Sequence, residues 1–240
     1  MRSCTYVFYI ALFLAQATAS AQPDPDALYR ERATAANAVA AAAIWEARLA
    51  ADPTHFESAW KLVRAMYWIG GRGAERDRRT ALERSVTAGR FAATLEPARP
   101  EGHFWMAASM GALAESFGLR QGLRYRGPIK EALETVRRLD PAFQGGSADR
   151  ALGRWYFKVP GLFGGSKAQA ESHLRSSLKY DPASTASQYF LAELLIDQGR
   201  RAGAAAALDA VLAAPPNPEW EPEDREFKDK AKQLLTSTRR

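Results

Sequence analysis

Arg150, Arg154 and Lys158 stand four residues apart, so a helix through them carries three cations on one face, one turn after another. Guanidinium groups so placed recognise carboxylates. Trp155 and Phe157 are interleaved with them, and the glycine-rich stretch Val159-Pro-Gly-Leu-Phe-Gly-Gly-Ser166 follows at once. A cationic end beside an apolar surface suits an amphipathic acid. Leu162 and Phe163 are unfavourable to leave in water, and they are expected to fold over one end of a groove containing Phe157, Trp155 and Met110, where a covered Phe contributes about 1.5–3 kcal/mol. The alternative is that Phe163 plugs the helical core with no ligand involved.

Other chemistry fails for want of residues. A phosphate loop G-x-x-x-x-G-K-[ST] drawn through Gly161 and Lys167 needs Gly where Ser166 stands and a hydroxyl where Ala168 stands, and no strand precedes it. His55, His103 and His173 are far apart, with no His or Glu at ligand spacing on a shared helix face. No positioned nucleophile and no cofactor fingerprint is present, so the residues read as a non-enzyme without a cofactor or metal.

The elements that must position the cations are helical hairpins. Leu152-Gly153-x-x-Tyr156, Ala170-x-x-x-Leu174 and Pro182 make the L-G-x-x-Y…A-x-x-x-F…P skeleton of a tetratricopeptide-type unit. Small Gly153 and Ala170 let two helices approach, and Pro182 stops the second one. Ser166 reads as that helix's N-cap. Asp52-Pro53, Glu96-Pro97, Asp140-Pro141, Asp181-Pro182 and Pro215-Pro216 punctuate the chain at intervals of 44, 44, 41 and 34 residues. The fold class is all-α: a tetratricopeptide-like solenoid of about five hairpins with a C-terminal capping helix from Glu223 to Leu235. In the second unit Gly70–Gly73 breaks the pair and the next helix starts near Arg78; in the third, the second helix starts after Gly127-Pro128. Trp60, Tyr67, Trp105 and Tyr156 fall at core positions, whereas Trp68, Met106, Met110, Phe157 and Tyr189 fall on the concave side with Arg150 and Arg154.

Residues 1–21 read as an export signal: Arg2, an apolar run from Tyr6 to Ala15, and Ala19-Ser20-Ala21 before Gln22. Ten apolar residues are too few to span a bilayer. Residues 22–240 then form one domain in the periplasm. The single cysteine, Cys4, lies in the signal, which excludes a disulfide framework. A formal charge of +6 on a chain that is 47% apolar and 25% charged does not point to nucleic acid.

The succession Asp149–Tyr156, Val159-Pro160-Gly161, Phe163–Lys167, Leu191-Ala192-Glu193-Leu194 and Ala213-Ala214-Pro215-Pro216 resembles the T component (TatT) associated with tripartite ATP-independent periplasmic (TRAP) transporters. The resemblance covers roughly residues 100–235. It implies an exported helical-repeat protein that pairs with the transporter's substrate-binding subunit, carries a cleft suited to an apolar ligand, and forms trimers; Arg150, Arg154 and the loop 159–167 are the positions it singles out, and the two arginines extend the ligand class to an apolar or acidic small molecule. An envelope scaffold whose groove holds a peptide segment of a partner is the competing reading.

Overall fold

A computed structural model describes residues 22–238, so the export-signal reading of residues 1–21 lies outside the described residues. The described chain is all-α. Its helices are α1 (Pro25–Arg30), α2 (Ala35–Ala51), α3 (Phe56–Arg72), α4 (Glu75–Leu95), α5 (Pro100–Ser116), α6 (Leu119–Leu139), α7 (Phe143–Lys158), α8 (Lys167–Tyr180), α9 (Thr185–Asp197), α10 (Arg201–Ala213) and α11 (Glu221–Thr238). They pack as five successive antiparallel pairs, each laid against the next, with α11 closing the end against α9 and α10.

The acid-proline punctuation ends the pairs for a local reason. Asp52, Glu96, Asp140 and Asp181 are the C-caps of α2, α4, α6 and α8. In three of them the carboxylate accepts a hydrogen bond from the backbone two residues on, at 2.9 Å from Thr54, 2.9 Å from Ala142 and 3.1 Å from Ala183. The aspartate thus shapes a turn in which proline, having no N–H to lose, is tolerated.

Within a pair the small residues set the approach. A Cβ placed on Gly153 of α7 would lie 2.6 Å from Leu174 Cγ of α8, so only glycine permits this contact. Leu152, Tyr156, Ala170 and Leu174 are buried beside it. Ser166 caps α8, accepting from the Gln169 N–H at 3.3 Å.

Two helix starts differ from the sequence expectation. The α4 helix begins at Glu75, not near Arg78, because the break is made by Gly73 in extended backbone and not by a longer loop. The α6 helix begins at Leu119, nine residues before the expected start, and carries Pro128 inside it. Pro128 is exposed, so the carbonyl that loses its partner one turn back is left to water, which makes the helix-breaker tolerable there.

The ends of the solenoid are joined. Arg32, just after α1 and only 1% exposed, donates from Nε to Glu223 Oε1 at 3.1 Å and from Nη2 to both Glu223 Oε2 and, at 2.7 Å, the Glu219 carbonyl. Arg72 of α3 donates from Nε to Glu226 of α11 at 2.6 Å. Trp220 stacks against Trp105 of α5, with centroids 6.4 Å apart and planes at 28°. The segment from Pro215 to Trp220 and the start of α11 therefore span the concave side and grip the first three hairpins.

Candidate functional site

Closure of the ends turns the concave side into a cleft of about 1440 Å³. One helix of each of four pairs lines it (α3, α5, α7 and α9), with the first half of α6, the Pro215–Trp220 segment and α11 completing the wall. The apolar lining comes from aromatic rings: Tyr67, Trp105, Trp155, Phe190, Trp220 and Phe227. Along α5 the small residues Ala108, Gly111 and Ala112 keep the floor open.

The carboxylates in the wall are engaged. Glu115 accepts from Arg154 Nε at 2.7 Å and Nη2 at 2.9 Å, Glu223 pairs with Arg32, and Glu226 pairs with Arg72. Asp224 accepts from the Thr185 hydroxyl at 2.6 Å, and Asp181 accepts from the Ala183 N–H. Burial pushes the Glu223 and Asp224 carboxyls up, with Arg32 and Thr185 respectively pulling them back.

The cations divide differently. Arg154 reaches both Glu115 on α5 and Glu193 on α9, the latter at 3.0 Å from Nη1, and lies 4.4 Å from the Phe190 centroid. Burial works against its charge, yet the two carboxylates raise its pKa above the ordinary guanidinium value. Arg154 is thus a tie between three hairpins. Arg150, one turn earlier, has no hydrogen bond or ion pair among the described residues; burial lowers its pKa, while Asp181 and Tyr67 act on it only through the field. Arginine stays protonated regardless. At the start of the same helix Gln144 holds left-handed backbone (φ 46°, ψ 50°), rare for a residue with a side chain, and its Oε1 is buried with no partner. Arg150 and Gln144, both on α7, are thus two cleft-lining residues whose polar groups lack a partner among the described residues.

Of the residues expected in the groove, Arg150, Arg154, Trp155 and Phe163 line the cleft. Trp68, Met106, Met110, Phe157, Tyr189 and Leu162 do not. Trp68 and Met110 are buried core, the Trp68 indole donating to the Arg32 carbonyl at 2.9 Å. Met106 packs against Gly89 of α4, Phe157 against the main core, and Tyr189 against Phe227. The reason is register: on α5 the open face runs through 105, 108, 111, 112 and 115, one position away from 106 and 110, so Trp105 faces both core and cleft. Leu162 covers nothing and is 90% exposed. Trp220, Phe227 and Phe190 were missed; the proline-rich run Pro215-Pro216-Asn217-Pro218 before Trp220, too rigid to be a slack connector, was the available signal.

An all-α solenoid of five helical pairs with a closing helix and a lined concave face defines a tetratricopeptide-like helical-repeat protein, an architecture suited to protein interaction. The family described as RMD1-3, regulator of microtubule dynamics protein 1-3, matches residues 24–239, and the chain belongs to that family. Its fold is similar to that of TTC0263, a thermophilic TPR protein in Thermus thermophilus, at a TM-score of 0.67 and 19% identity over 88% of this chain and 97% of that one. MamA aligns at a TM-score of 0.49 and 14% identity, over 83% and 95% of the two chains. No curated protein matches the sequence.

Proposed function

We propose that this protein works by binding: its cleft holds an amphipathic acid, the carboxylate on Arg150 and the apolar body along the aromatic wall, as an accessory to a TRAP-type solute uptake system in the periplasm. The observation that carries the ligand class is Arg150, a half-buried guanidinium in an aromatic cleft whose carboxylates are already engaged elsewhere. The export signal read in residues 1–21 and the T-component resemblance support the compartment and the transporter's substrate-binding subunit as partner. The family is named for regulating microtubule dynamics, which supports a role through contact with another protein.

A second reading, a scaffold holding an acidic peptide segment, is favoured by size: about 1440 Å³ exceeds the roughly 300–1,000 Å³ of ordinary small-molecule pockets. Titration of the native protein with a fluorescent fatty acid, and separately with an acidic peptide, decides between them. Saturable fatty-acid binding that weakens about tenfold or more in Arg150→Ala supports the first, since hydrogen bonds to a charged group contribute about 1.5–3 kcal/mol. Binding of the peptide alone supports the second, and binding of neither overturns both. Retention of a TRAP substrate-binding subunit on the immobilised protein tests the partner independently.

A further inference from the structure

The two turns at the mouth of the cleft carry an apolar patch that nothing covers. Leu119 and Leu123, one turn apart on α6, are 72% and 45% exposed; Leu162 and Phe163, on the turn after α7, are 90% and 37% exposed. Half of the large hydrophobic side chains exposed among the described residues are gathered at this tip, while Val39, Phe91, Leu139 and Tyr180 are scattered over other helices. Scattered ones need no explanation, whereas a cluster does. The two turns are physically joined: Trp155 Nε1 donates to the Arg126 carbonyl at 3.0 Å, and the Arg126 guanidinium lies 5.5 Å from the Phe163 centroid. A Cβ on Gly118 or Gly161 would meet nothing within 4 Å, so each turn has open space beside it.

The two turns themselves carry only basic charge, and Asp197 of α9, which reaches the second of them, is taken up by Lys167. No Asp or Glu occurs between residues 116 and 130 or between 150 and 170. Arg120, Arg124 and Lys158 are exposed there and make no ion pair among the described residues. A projecting Leu162 on a turn that shares its end of the cleft with exposed basic side chains is the opposite of a flat or concave protein-docking face. It fits a surface that is soft, apolar beneath and anionic on top.

We infer that this tip docks the protein onto an anionic lipid bilayer, Leu162 and Leu119 entering the headgroup–acyl boundary while Arg120, Arg124 and Lys158 contact lipid phosphates. Apolar insertion combined with a basic ring supplies the two signals that stable peripheral binding requires. Among the described residues no helix is long and apolar enough to cross a membrane, so the association is with the surface. Because Leu119, Leu123 and Phe163 also line the cleft, docking would open its mouth toward the bilayer. The inference rests on the patch and is independent of what the cleft holds.

Flotation of the purified protein with vesicles of phosphatidylcholine alone, and with phosphatidylglycerol added, tests it at low and high salt. Binding to the anionic vesicles that weakens with salt is expected, with a loss of about tenfold or more in Leu162→Asp and in the double variant Arg120→Glu/Arg124→Glu. Lys179→Glu, on α8 outside the cleft, should bind like the wild type. Leu162 is so exposed that its substitution leaves the melting curve unchanged, which separates lost docking from lost folding. No binding to either vesicle, or equal binding by the variants, overturns the inference. Loss in the same variants of binding to a soluble protein partner, without vesicle binding, would reassign the tip to protein docking and likewise overturn it.

Discussion

Replacing Arg32 by methionine is expected to destabilise the protein by about 3 kcal/mol, the lower part of the range for breaking a buried pair, because Glu223 keeps some contact with solvent. The loss has three parts: Glu223 becomes a desolvated carboxylate without its counter-charge, the Glu219 carbonyl loses its donor, and the Tyr29 and Trp68 rings lose the guanidinium lying 4.9 and 5.1 Å from their centroids. Urea denaturation measures it. The double variant Arg32→Met/Glu223→Leu should recover the part owed to Glu223, since removing both charges leaves no orphan charge, while the Glu219 carbonyl still lacks its donor. The pH dependence follows from Glu223, whose pKa burial raises above the unfolded value. Its contribution is present in full below the unfolded carboxylate pKa and fades as pH rises through the raised one. Without Arg32 the raised pKa moves further up, so the deficit of Arg32→Met should shrink as the solution is acidified. A deficit that is constant from neutral to acid pH would show that Glu223 is not the orphan.

Trp105→Ala is expected to cost about 3–5 kcal/mol, whereas Trp105→Phe should cost under about 1.5 kcal/mol. The ring is 4% exposed and touches Tyr67 at 5.6 Å, Phe104 at 5.1 Å and Trp220 at 6.4 Å between centroids. Its Nε1 has no hydrogen-bond partner, so phenylalanine abandons no acceptor while keeping most of the packing. The alanine variant also removes the surface on which Trp220 rests, which should appear in near-ultraviolet circular dichroism as a loss of aromatic signal beyond that of one tryptophan. Equal costs for the two substitutions would mean that the indole N–H, and not the packed area, matters.

What could be read in the chain beforehand is what local geometry determines. The aspartates that cap α2, α6 and α8 act on residues two positions away, and Gly153, Ala170 and Leu174 act across one hairpin, so turn positions and pair boundaries were legible. The faces of the helices were harder. A shift of one residue turns a helix by about 100°, enough to exchange core and cleft, and this put Met110 in the groove and Trp105 wholly in the core. Arg154 looked like a free cation because its partners, Glu115 and Glu193, lie 39 residues away on either side. The start of α6 was hidden by Pro128, a residue whose cost depends on whether its neighbourhood is wet.

The grip of Glu219 and Glu223 on Arg32 also bears on how the chain is made. In an ordinary solenoid each unit touches only its neighbours, so units can complete themselves as the chain emerges into the compartment where it folds. Here Arg32 emerges early and its partners almost last, 187 and 191 residues later. Until then the first hairpin holds a buried-to-be guanidinium open to water, and the aromatic wall from Tyr67 to Trp105 lacks its lid. The nascent protein is therefore a string of finished middle units with an unfinished beginning, and removal of the final helix would be felt at the opposite terminus as well as at α9 and α10.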